Sequence, residues 1–384
     1  MTSSSPRGSD DVAVTADRPL RVVVAPDSFK GSATAQEVAA ALGRGWRRAR
    51  PADIVVEVPM ADGGEGTLDA VLAGEGAAVH TRPVTLPGIG RHEARWGMVG
   101  DRAVVELAEC CGLPLVGIGD PGGADTEALG LVLAAALDAG AVAVTLAVGG
   151  SASTDGGSGA LRALGARVLD AGHRDVPRGG LGLASAAAVE LTGLRPPPVR
   201  GVTILCDVTA PLLGANGAAR VFGPQKGASP DQVAALDHAL SRWHSLLGGD
   251  AEAPGAGAAG GTAYGFATLW GAVLRPGAAA VAALVGLPDA VGAADVVVTG
   301  EGRWDSQSVT GKVAGHVLGL VAGAGAEGMV VAGDLAAALP SGVRGWSLVE
   351  AAGGLDRART DAIRWLEVVG ERAATSLGER TPLS

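Results

Sequence analysis

Short apolar runs rich in β-branched residues stand near both ends of this chain, and they constrain its fold more than any other feature. Five runs share this composition: VVVAP (22–26), IVVEVP (54–59), VVVTG (296–300), MVVAG (329–333) and WSLVEA (346–351). Segments with helical periodicity separate them, the first from about Thr34 to Arg48 and the second from Glu65 to about Leu72. Strands and helices that alternate at this spacing are typical of a parallel sheet. The pattern predicts one parallel-sheet domain formed by both chain ends.

The middle of the chain has a different pattern. Residues 77–107 contain short strand-like pieces with turn residues between them, which indicates hairpins. Further along, the sequence predicts helices at 125–139, 230–247 and 262–274, strands at 143–148 and 202–208, and a loop-like stretch at 170–200. A chain of 384 residues also exceeds the usual length of one domain. We therefore predict a disordered tail over 1–20, a parallel-sheet domain formed by 21–80 and 288–384, and a second α/β domain inserted at 81–287.

The charge balance and the cysteines exclude several classes of protein. The formal net charge of −10 argues against nucleic acid or an anionic membrane as a partner, because both bind clustered Lys and Arg. The longest uncharged run, between Glu252 and Arg275, contains Pro254 and six glycines, so it is too broken to span a bilayer. The three cysteines form no C-x-x-C, which argues against a disulfide framework or a structural zinc site. These features predict a cytoplasmic protein.

Carboxylates follow five of the predicted strands, in loops of small residues. The loops carry Asp27, Asp62 with Glu65, Asp155, Asp207, and Glu301 with Asp305. Ligands bind at the carboxyl edge of an open parallel sheet, where carboxylates hold Mg²⁺ or take a proton from a hydroxyl group. Any one of these acids could instead cap a helix or organise a turn. We favour one shared ligand site over five separate caps.

The chain has only three lysines, and each of them is next to a glycine. They are Lys30 in FKG, Lys226 in QKG and Lys312 in GKV. A compact ammonium group beside exposed backbone N–H groups is well suited to a phosphate. Three solvated lysines in turns are the alternative. The lysines and the acids together favour a site for an anionic, phosphorylated ligand.

Familiar nucleotide and hydrolase signatures are missing or out of context. GAGAAG (255–260) fits G-x-G-x-x-G, but it follows no predicted strand, so the dinucleotide interpretation lacks its structural setting. No P-loop occurs, because Val313 follows Lys312 where that motif needs Ser or Thr. Ser151 and Ser153 lack a G-x-S-x-G context, which disfavours a serine hydrolase.

Six motifs, in this order, resemble the bacterial class I glycerate kinases from about Arg21 to the C-terminal helix. They are APDSFKGS (25–32), ADGGEGT (61–67), GGSASTDGG (149–157), CDVTAPLLG (206–214), VFGPQKGA (221–228) and TGEGRWDSQSVTGK (299–312). The resemblance implies a flavodoxin-like domain with a second, inserted α/β domain and an active site between them. It implies ATP-dependent phosphorylation of D-glycerate with Mg²⁺ as cofactor. Bacterial members of this kind usually form 2-phosphoglycerate.

Carried over position by position, the motifs supply a set of candidate site residues. The catalytic candidates are Lys30, Asp62, Asp207 and Lys312. The substrate- or nucleotide-binding candidates are Asp27, Ser28, Gly63, Gly64, Glu65, Gly149, Gly150, Ser151, Asp155, Lys226, Glu301 and Asp305. We assign Lys30 and Lys312 to phosphate or to the substrate carboxylate, with Lys226 as a third phosphate ligand. Asp62 and Asp207 lead as Mg²⁺ ligands or as general base, followed by Asp155, Glu65 and Glu301.

Two alternatives stay open at this point. Thr154 and Ala210 stand where many family members have asparagine, so the acceptor could be another small hydroxy or sugar acid. A non-catalytic binding protein for a small acid is the second alternative, although it would have no use for five carboxylate loops. The 2- or 3-phosphate product, the division of roles among the acids and the oligomeric state are left open by the sequence.

Overall fold

In a computed structural model, the described residues are 18–74, 76–306, 308 and 312–377. Most of the predicted tail, residues 1–17, therefore lies outside them. Residues 18–20 run along the first sheet, where the Leu20 N–H donates to Asp53 Oδ1 at 3.0 Å.

The helices and strands of the described residues have the following bounds. The strands are β1 (Arg21–Pro26), β2 (Ile54–Glu57), β3 (Ala77–Leu86), β4 (Gly90–Val99), β5 (Arg102–Glu106), β6 (Ala143–Ala147), β7 (Arg167–Leu169), β8 (Ala188–Glu190), β9 (Val202–Leu205), β10 (Val273–Arg275), β11 (Val296–Trp304), β12 (Glu327–Leu335) and β13 (Arg344–Ser347). The α-helices are α1 (Ala35–Ala49), α2 (Thr67–Leu72), α3 (Leu107–Cys111), α4 (Leu113–Val116), α5 (Glu127–Asp138), α6 (Ser158–Ala163), α7 (Ala218–Phe222), α8 (Pro230–Leu247), α9 (Ala258–Trp270), α10 (Gly277–Leu284), α11 (Leu287–Gly292), α12 (Val313–Ala324), α13 (Leu348–Ala352), α14 (Leu355–Thr360) and α15 (Ala362–Thr375). Short 3₁₀ turns lie at Gly180–Ser185 and Pro224–Lys226.

The first sheet is formed by both chain ends, as predicted. Within the described residues its strand order is β13-β12-β11-β1-β2, and every pair is parallel. Renumbered within the sheet this is 2-1-3-4-5, the flavodoxin-like order, which places the topological switch point between β1 and β11. Alternate residues of β1 pack on opposite faces: Val22 and Val24 against α1 and α15, and Val23 against α10, α11 and α12. The near-continuous apolar runs are explained by this burial on both faces.

The second sheet has a mixed order in the described chain, β10-β9-β6-β5-β4-β3. β3, β4 and β5 are antiparallel neighbours, which confirms the predicted hairpins, whereas β5, β6, β9 and β10 run parallel. Its core is the largest apolar cluster and includes Trp96, Leu133, Leu146 and Trp243. A small antiparallel pair joins β7, just before the loop-like stretch predicted at 170–200, to β8, which lies inside that stretch.

Local sequence signals fix the ends of the longer helices. Thr34 and Glu37 form a capping box at the start of α1: the Thr34 hydroxyl accepts from the Glu37 N–H, and the Glu37 carboxylate accepts from the Thr34 N–H. Ser229 and Gln232 do the same for α8, which occupies the predicted residues 230–247. Such caps satisfy N–H groups that have no partner inside the helix, and each typically contributes about 1 kcal/mol.

Two predicted elements are wrong in part. The helix expected at 262–274 ends early, at Trp270. Its predicted start is right, because Ala259, Gly260 and Gly261 have left-handed backbone conformations and the regular part of α9 starts at Thr262. Gly271 also adopts a left-handed conformation, which lets 273–275 pair with β9 as β10. The strand expected at 346–351 ends at Ser347, because the Ser347 hydroxyl accepts from the Glu350 N–H and starts α13. In both cases a single cap decided between two structures that the apolar pattern allows equally.

The chain passes from the first sheet to the second after β2. The connecting residues 58–66 lead into α2, which packs on the second sheet through Leu68, Val71 and Val104. The chain returns after β10, and α10 already packs on the first sheet. The domain boundaries at 80/81 and 287/288 stay a prediction. Among the described helices, none is both long enough and apolar enough to cross a bilayer.

Candidate active site

The carboxyl ends of the parallel strands in both sheets face one cleft of about 1530 Å³. From the first sheet, Asp27 follows β1 and Glu301 lies near the end of β11, on the two sides of the switch point. From the second sheet, Glu106 ends β5 and Asp207 follows β9 by two residues. The carboxyl edges of the two sheets therefore form the two walls of one cleft. This is the arrangement expected for ligand binding in α/β proteins.

All but one of the candidate residues line this cleft. They are Asp27, Ser28, Lys30, Asp62, Gly63, Gly64, Glu65, Gly149, Gly150, Ser151, Asp207, Lys226, Glu301, Asp305 and Lys312. The exception is Asp155. Thr154 and Ala210, the positions that motivated a different acceptor, do not line the cleft either.

The acids at the switch point lie close enough to affect one another. The Asp27 N–H donates to the Gly300 carbonyl at 2.8 Å, which continues the pairing of β1 with β11. Burial raises the pKa of Asp27 to about 7, and the charges of Asp62 and Glu301 add to the rise. Burial also raises the pKa of Glu301. Within the described residues, Glu301 Oε1 has no hydrogen-bond partner, although Lys312 Nζ lies 3.6 Å from Oε2. Asp27 Oδ1 accepts from the Ser28 N–H at 2.6 Å, so the internal contacts of these two carboxylates in the described chain are few and include Ser28 and Lys312.

Asp62 and Asp207 bring the second wall close to the first. Asp62 Oδ1 accepts from the Gly64 N–H at 3.1 Å, and Asp207 Oδ1 accepts from the Gly277 N–H at 2.7 Å. The walls of the cleft partly desolvate Asp207 and raise its pKa, and the charge of Asp62 raises it further. Several like charges in a cleft, with their pKa values raised, are typical of a functional site.

The three lysines stand around these acids. Lys30 is exposed on the loop after β1, and Lys312 occupies the N-cap position of α12. Lys226 is buried: its Nζ donates to Ser151 Oγ at 3.1 Å and to the Ser153 carbonyl. Burial lowers the pKa of Lys226 to about 8, against the opposing effect of Asp155. The cleft thus offers ammonium groups on both walls.

Asp155 has a different position. It is fully buried, and its carboxylate accepts from the N–H and hydroxyl groups of Thr126 and from the N–H groups of Gly157 and Gly159. It therefore joins the starts of α5 and α6 inside the second domain. Burial still raises its pKa, followed by the charge of Asp125. This is the capping interpretation that the sequence left open.

Six charged residues of the cleft were missed from the sequence: Glu37, Asp69, Glu106, Glu109, Arg303 and Arg359. Glu106 follows a strand-like run, as the chosen acids do, but no glycine follows it. It is buried, and burial raises its pKa to about 7. Arg303 and Arg359 are exposed on β11 and α14, and no local sequence signal distinguishes them from the other arginines.

The grouping of the acids determines which metal ions the cleft could hold. In the part of the chain that the structure describes, no three His, Cys, Asp or Glu side chains are grouped so that they could hold a metal by themselves. Mg²⁺ is usually held by one or two carboxylates, several waters and the substrate phosphates, so a pair such as Asp62 and Asp207 fits its requirements. The donor set is compatible with a metal that arrives with a nucleotide.

The chain matches proteins of one family over almost its whole length. The model of the glycerate kinase family matches residues 22–378. Glycerate 2-kinase of Escherichia coli (strain K12) is 40% identical over 304 residues, which covers 77% of this chain and 80% of the relative. Glycerate kinase of Bacillus subtilis (strain 168) is also 40% identical over 304 residues, covering 76% and 79%. A crystal structure from Salmonella typhimurium LT2, described as a glycerate kinase 2, superposes with a TM-score of 0.81 at 35% identity and covers 94% of this chain and 99% of that one. The two-sheet fold and these matches show that the chain belongs to the glycerate kinase family.

Proposed function

We propose that this protein transfers the γ-phosphoryl group of ATP to D-glycerate and forms 2-phosphoglycerate. The observation that carries the proposal is the cleft at the ends of the two sheets, which is lined by Asp27, Asp62 and Asp207 together with Lys30 and Lys312. Phosphoryl transfer requires positioning of the two substrates and neutralisation of negative charge, together with a group that accepts the hydroxyl proton. The cleft contains residues of each kind.

The lysines are assigned by their surroundings. Lys30 and Lys312 are partly or fully exposed, so they are able to follow a flexible triphosphate chain or to contact the glycerate carboxylate. Lys226 is held by Ser151 and Ser153 in a buried place, so it offers a fixed charge at one point of the second wall. A fixed ammonium group suits an oxyanion whose position must not change during transfer.

The acids are assigned as metal ligands or as general base. Asp62 and Asp207 would hold Mg²⁺, which supplies charge neutralisation at the β- and γ-phosphates when it is bound with ATP. Asp207 and Asp62 are also the leading candidates for accepting the hydroxyl proton, with Glu65 and Glu301 as alternatives. Asp27, whose pKa is raised to about 7, adds a carboxyl group that exchanges a proton near neutral pH.

The 2-phosphate product is proposed from the resemblance and from the name of the Escherichia coli relative, glycerate 2-kinase. The cleft geometry does not distinguish the 2-hydroxyl from the 3-hydroxyl group. Because the reaction consumes ATP, we also propose that the protein is cytoplasmic.

A coupled assay of ADP formation with ATP, Mg²⁺ and D-glycerate tests the proposal. Glycerate-dependent ADP release is the expected result, and phosphorus NMR of the product is expected to show the 2-phosphate. A 3-phosphate spectrum would overturn only the regiochemistry. Glycerate binding without ADP release would indicate a binding protein. No binding and no release would direct the search to other small hydroxy acids.

A further inference from the structure

Glu106 is a charged residue of the cleft to which no role has yet been assigned. It is 2% exposed and ends β5 in the second sheet. Its Oε1 accepts from the Gly66 N–H at 3.1 Å, and its Oε2 accepts from the Leu68 N–H at 2.8 Å. Both donors belong to residues 62–68, here named the crossing segment, which carries the chain from the first sheet to α2.

The crossing segment is also pressed against the second sheet by its backbone. The Gly149 N–H donates to the Gly63 carbonyl at 3.1 Å. A Cβ atom at Gly149 would lie 2.4 Å from Gly64 Cα, and one at Gly277 would lie 1.7 Å from the Asp62 carbonyl oxygen. Contacts this short allow only glycine at both positions. The loop after β6 and the start of α10 therefore meet the crossing segment with backbone alone, at Gly149 and Gly277, and β5 meets it with the side chain of Glu106.

α2, which follows the crossing segment, is held from its other side. Arg95 on β4 donates to Asp69 Oδ1 at 2.9 Å and to both carboxylate oxygens of Glu109. This ion pair lies at the surface, where such contacts contribute little. The two bonds to Glu106 are charge-assisted and buried, so they are the stronger restraint.

The position of the crossing segment matters because Asp62 is its first residue. Asp62 lines the cleft with Asp27 of the first sheet and Asp207 of the second, and its carbonyl oxygen lies against Gly277, whose N–H donates to Asp207 Oδ1 at 2.7 Å. A displacement of the segment would change the spacing of these acids without removing any of them. A misplacement of about 1 Å far from the chemistry can cost about 10²-fold in rate.

We propose that Glu106 is a positioning residue, whose carboxylate clamps the crossing segment to the second sheet and so holds Asp62 opposite Asp207. Its role does not require contact with either substrate. Where it concerns turnover, the inference rests on the proposed function; the clamp itself does not.

The test compares Glu106→Gln with Asp53→Asn. In Glu106→Gln the amide NH₂ faces one of the two N–H donors, so one bond is lost while the side chain keeps its size. Asp53 serves as the control: it is a buried carboxylate that accepts from the Leu20 N–H and Trp46 Nε1 and also pairs with Arg50, and it precedes β2 at the opposite end of the first sheet. Turnover, thermal unfolding and hydrogen–deuterium exchange are measured for the wild type and both variants.

We expect amide exchange over 62–72 to rise about tenfold or more in Glu106→Gln, as for loss of a charge-assisted hydrogen bond, and to stay unchanged in Asp53→Asn. We expect kcat to fall about 10²-fold in Glu106→Gln with little change in KM, whereas Asp53→Asn lowers the melting temperature and leaves kcat of the folded protein unchanged. If Glu106→Gln does not fold, the same measurements are made on Glu106→Asp, which keeps the charge but has a shorter side chain.

Unchanged exchange over 62–72 in the Glu106 variant would overturn the clamp. A kcat loss of equal size in both variants would assign Glu106 a purely structural role and would also overturn the proposal. If the wild type forms no ADP with glycerate, the proposed function fails, and the exchange measurement alone decides the clamp.

Discussion

Asp155 and the cleft carboxylates follow strands in similar loops, but they differ in the number of hydrogen-bond donors that surround them. Asp155 accepts hydrogen bonds from four donors on Thr126, Gly157 and Gly159. Among the described residues, Asp62 and Asp207 each accept one backbone N–H, from Gly64 and Gly277, so most of their acceptor capacity is left for a ligand or for water. Both kinds of acid have the same sequence pattern. The number of internal donors distinguishes a structural carboxylate from one that is available for chemistry.

The largest effect on turnover is expected from a substitution of Asp207, one of the cleft carboxylates. Asp207→Asn keeps the size of the side chain but removes the charge, so turnover of glycerate is expected to fall about 10³-fold, as when a group acting at the transition state is removed. The melting temperature is expected to stay the same or rise, because a repulsion with Asp62 disappears. The ADP-release assay and thermal unfolding measure the two effects. Turnover within tenfold of the wild type would place Asp207 outside the chemistry.

Asp155→Asn is expected to show the opposite pattern. An amide at this position places an NH₂ group among four donors, so the free energy of unfolding is expected to fall by about 2–4 kcal/mol. Turnover per folded molecule should change little, because Asp155 does not line the cleft. Urea unfolding followed by circular dichroism measures the loss. A variant with wild-type stability and reduced turnover would return Asp155 to the binding residues.

The pH dependence of stability tests whether the pKa of Asp27, a cleft carboxylate, is raised in the folded protein. Its pKa in the folded protein is about 7 and its ordinary value is 3.8, so the folded state keeps a proton that the unfolded chain loses between these pH values. Stability is therefore lost as the pH rises from about 4 to 7, and Asp27→Asn should stabilise the ligand-free protein above pH 7 by about 1–3 kcal/mol. The two proteins should be equally stable below pH 4. A constant difference at all pH values would contradict the raised pKa.

The smallest effect is expected at Asp170, which also follows a strand in a loop with glycine. Its carboxylate accepts from the Gly172 and Arg174 N–H groups at the surface, away from the cleft. Asp170→Asn should therefore leave both turnover and the melting temperature at wild-type values. A measurable loss of turnover would show that the strand-end pattern itself, and not the cleft, selects the functional acids.

The parallel sheet and most of the cleft were predictable, for a local reason. Strands buried on both faces need continuous apolar runs, and a sheet of parallel strands brings the residues that follow them to one edge. Asp27, Lys30 and Asp62 were identified in this way, and all three line the cleft. Glu106 was missed because the sequence signal was an acid in a loop of small residues, whereas Glu106 is followed directly by α3 and contacts Gly66 of another loop.

The sequence by itself determined which segments become strands, which ends of them carry acids and lysines, and to which family the motifs are similar. These features depend on residues that are neighbours along the chain. Only the tertiary structure decided that Asp155 accepts hydrogen bonds from Thr126, that Lys226 is buried against Ser151, and that Glu106 contacts the crossing segment. The contacts of Asp155 with Thr126, of Lys226 with Ser151 and of Glu106 with Gly66 join residues at least 29 positions apart, and hydrogen-bond partners that distant have no signature in the local pattern.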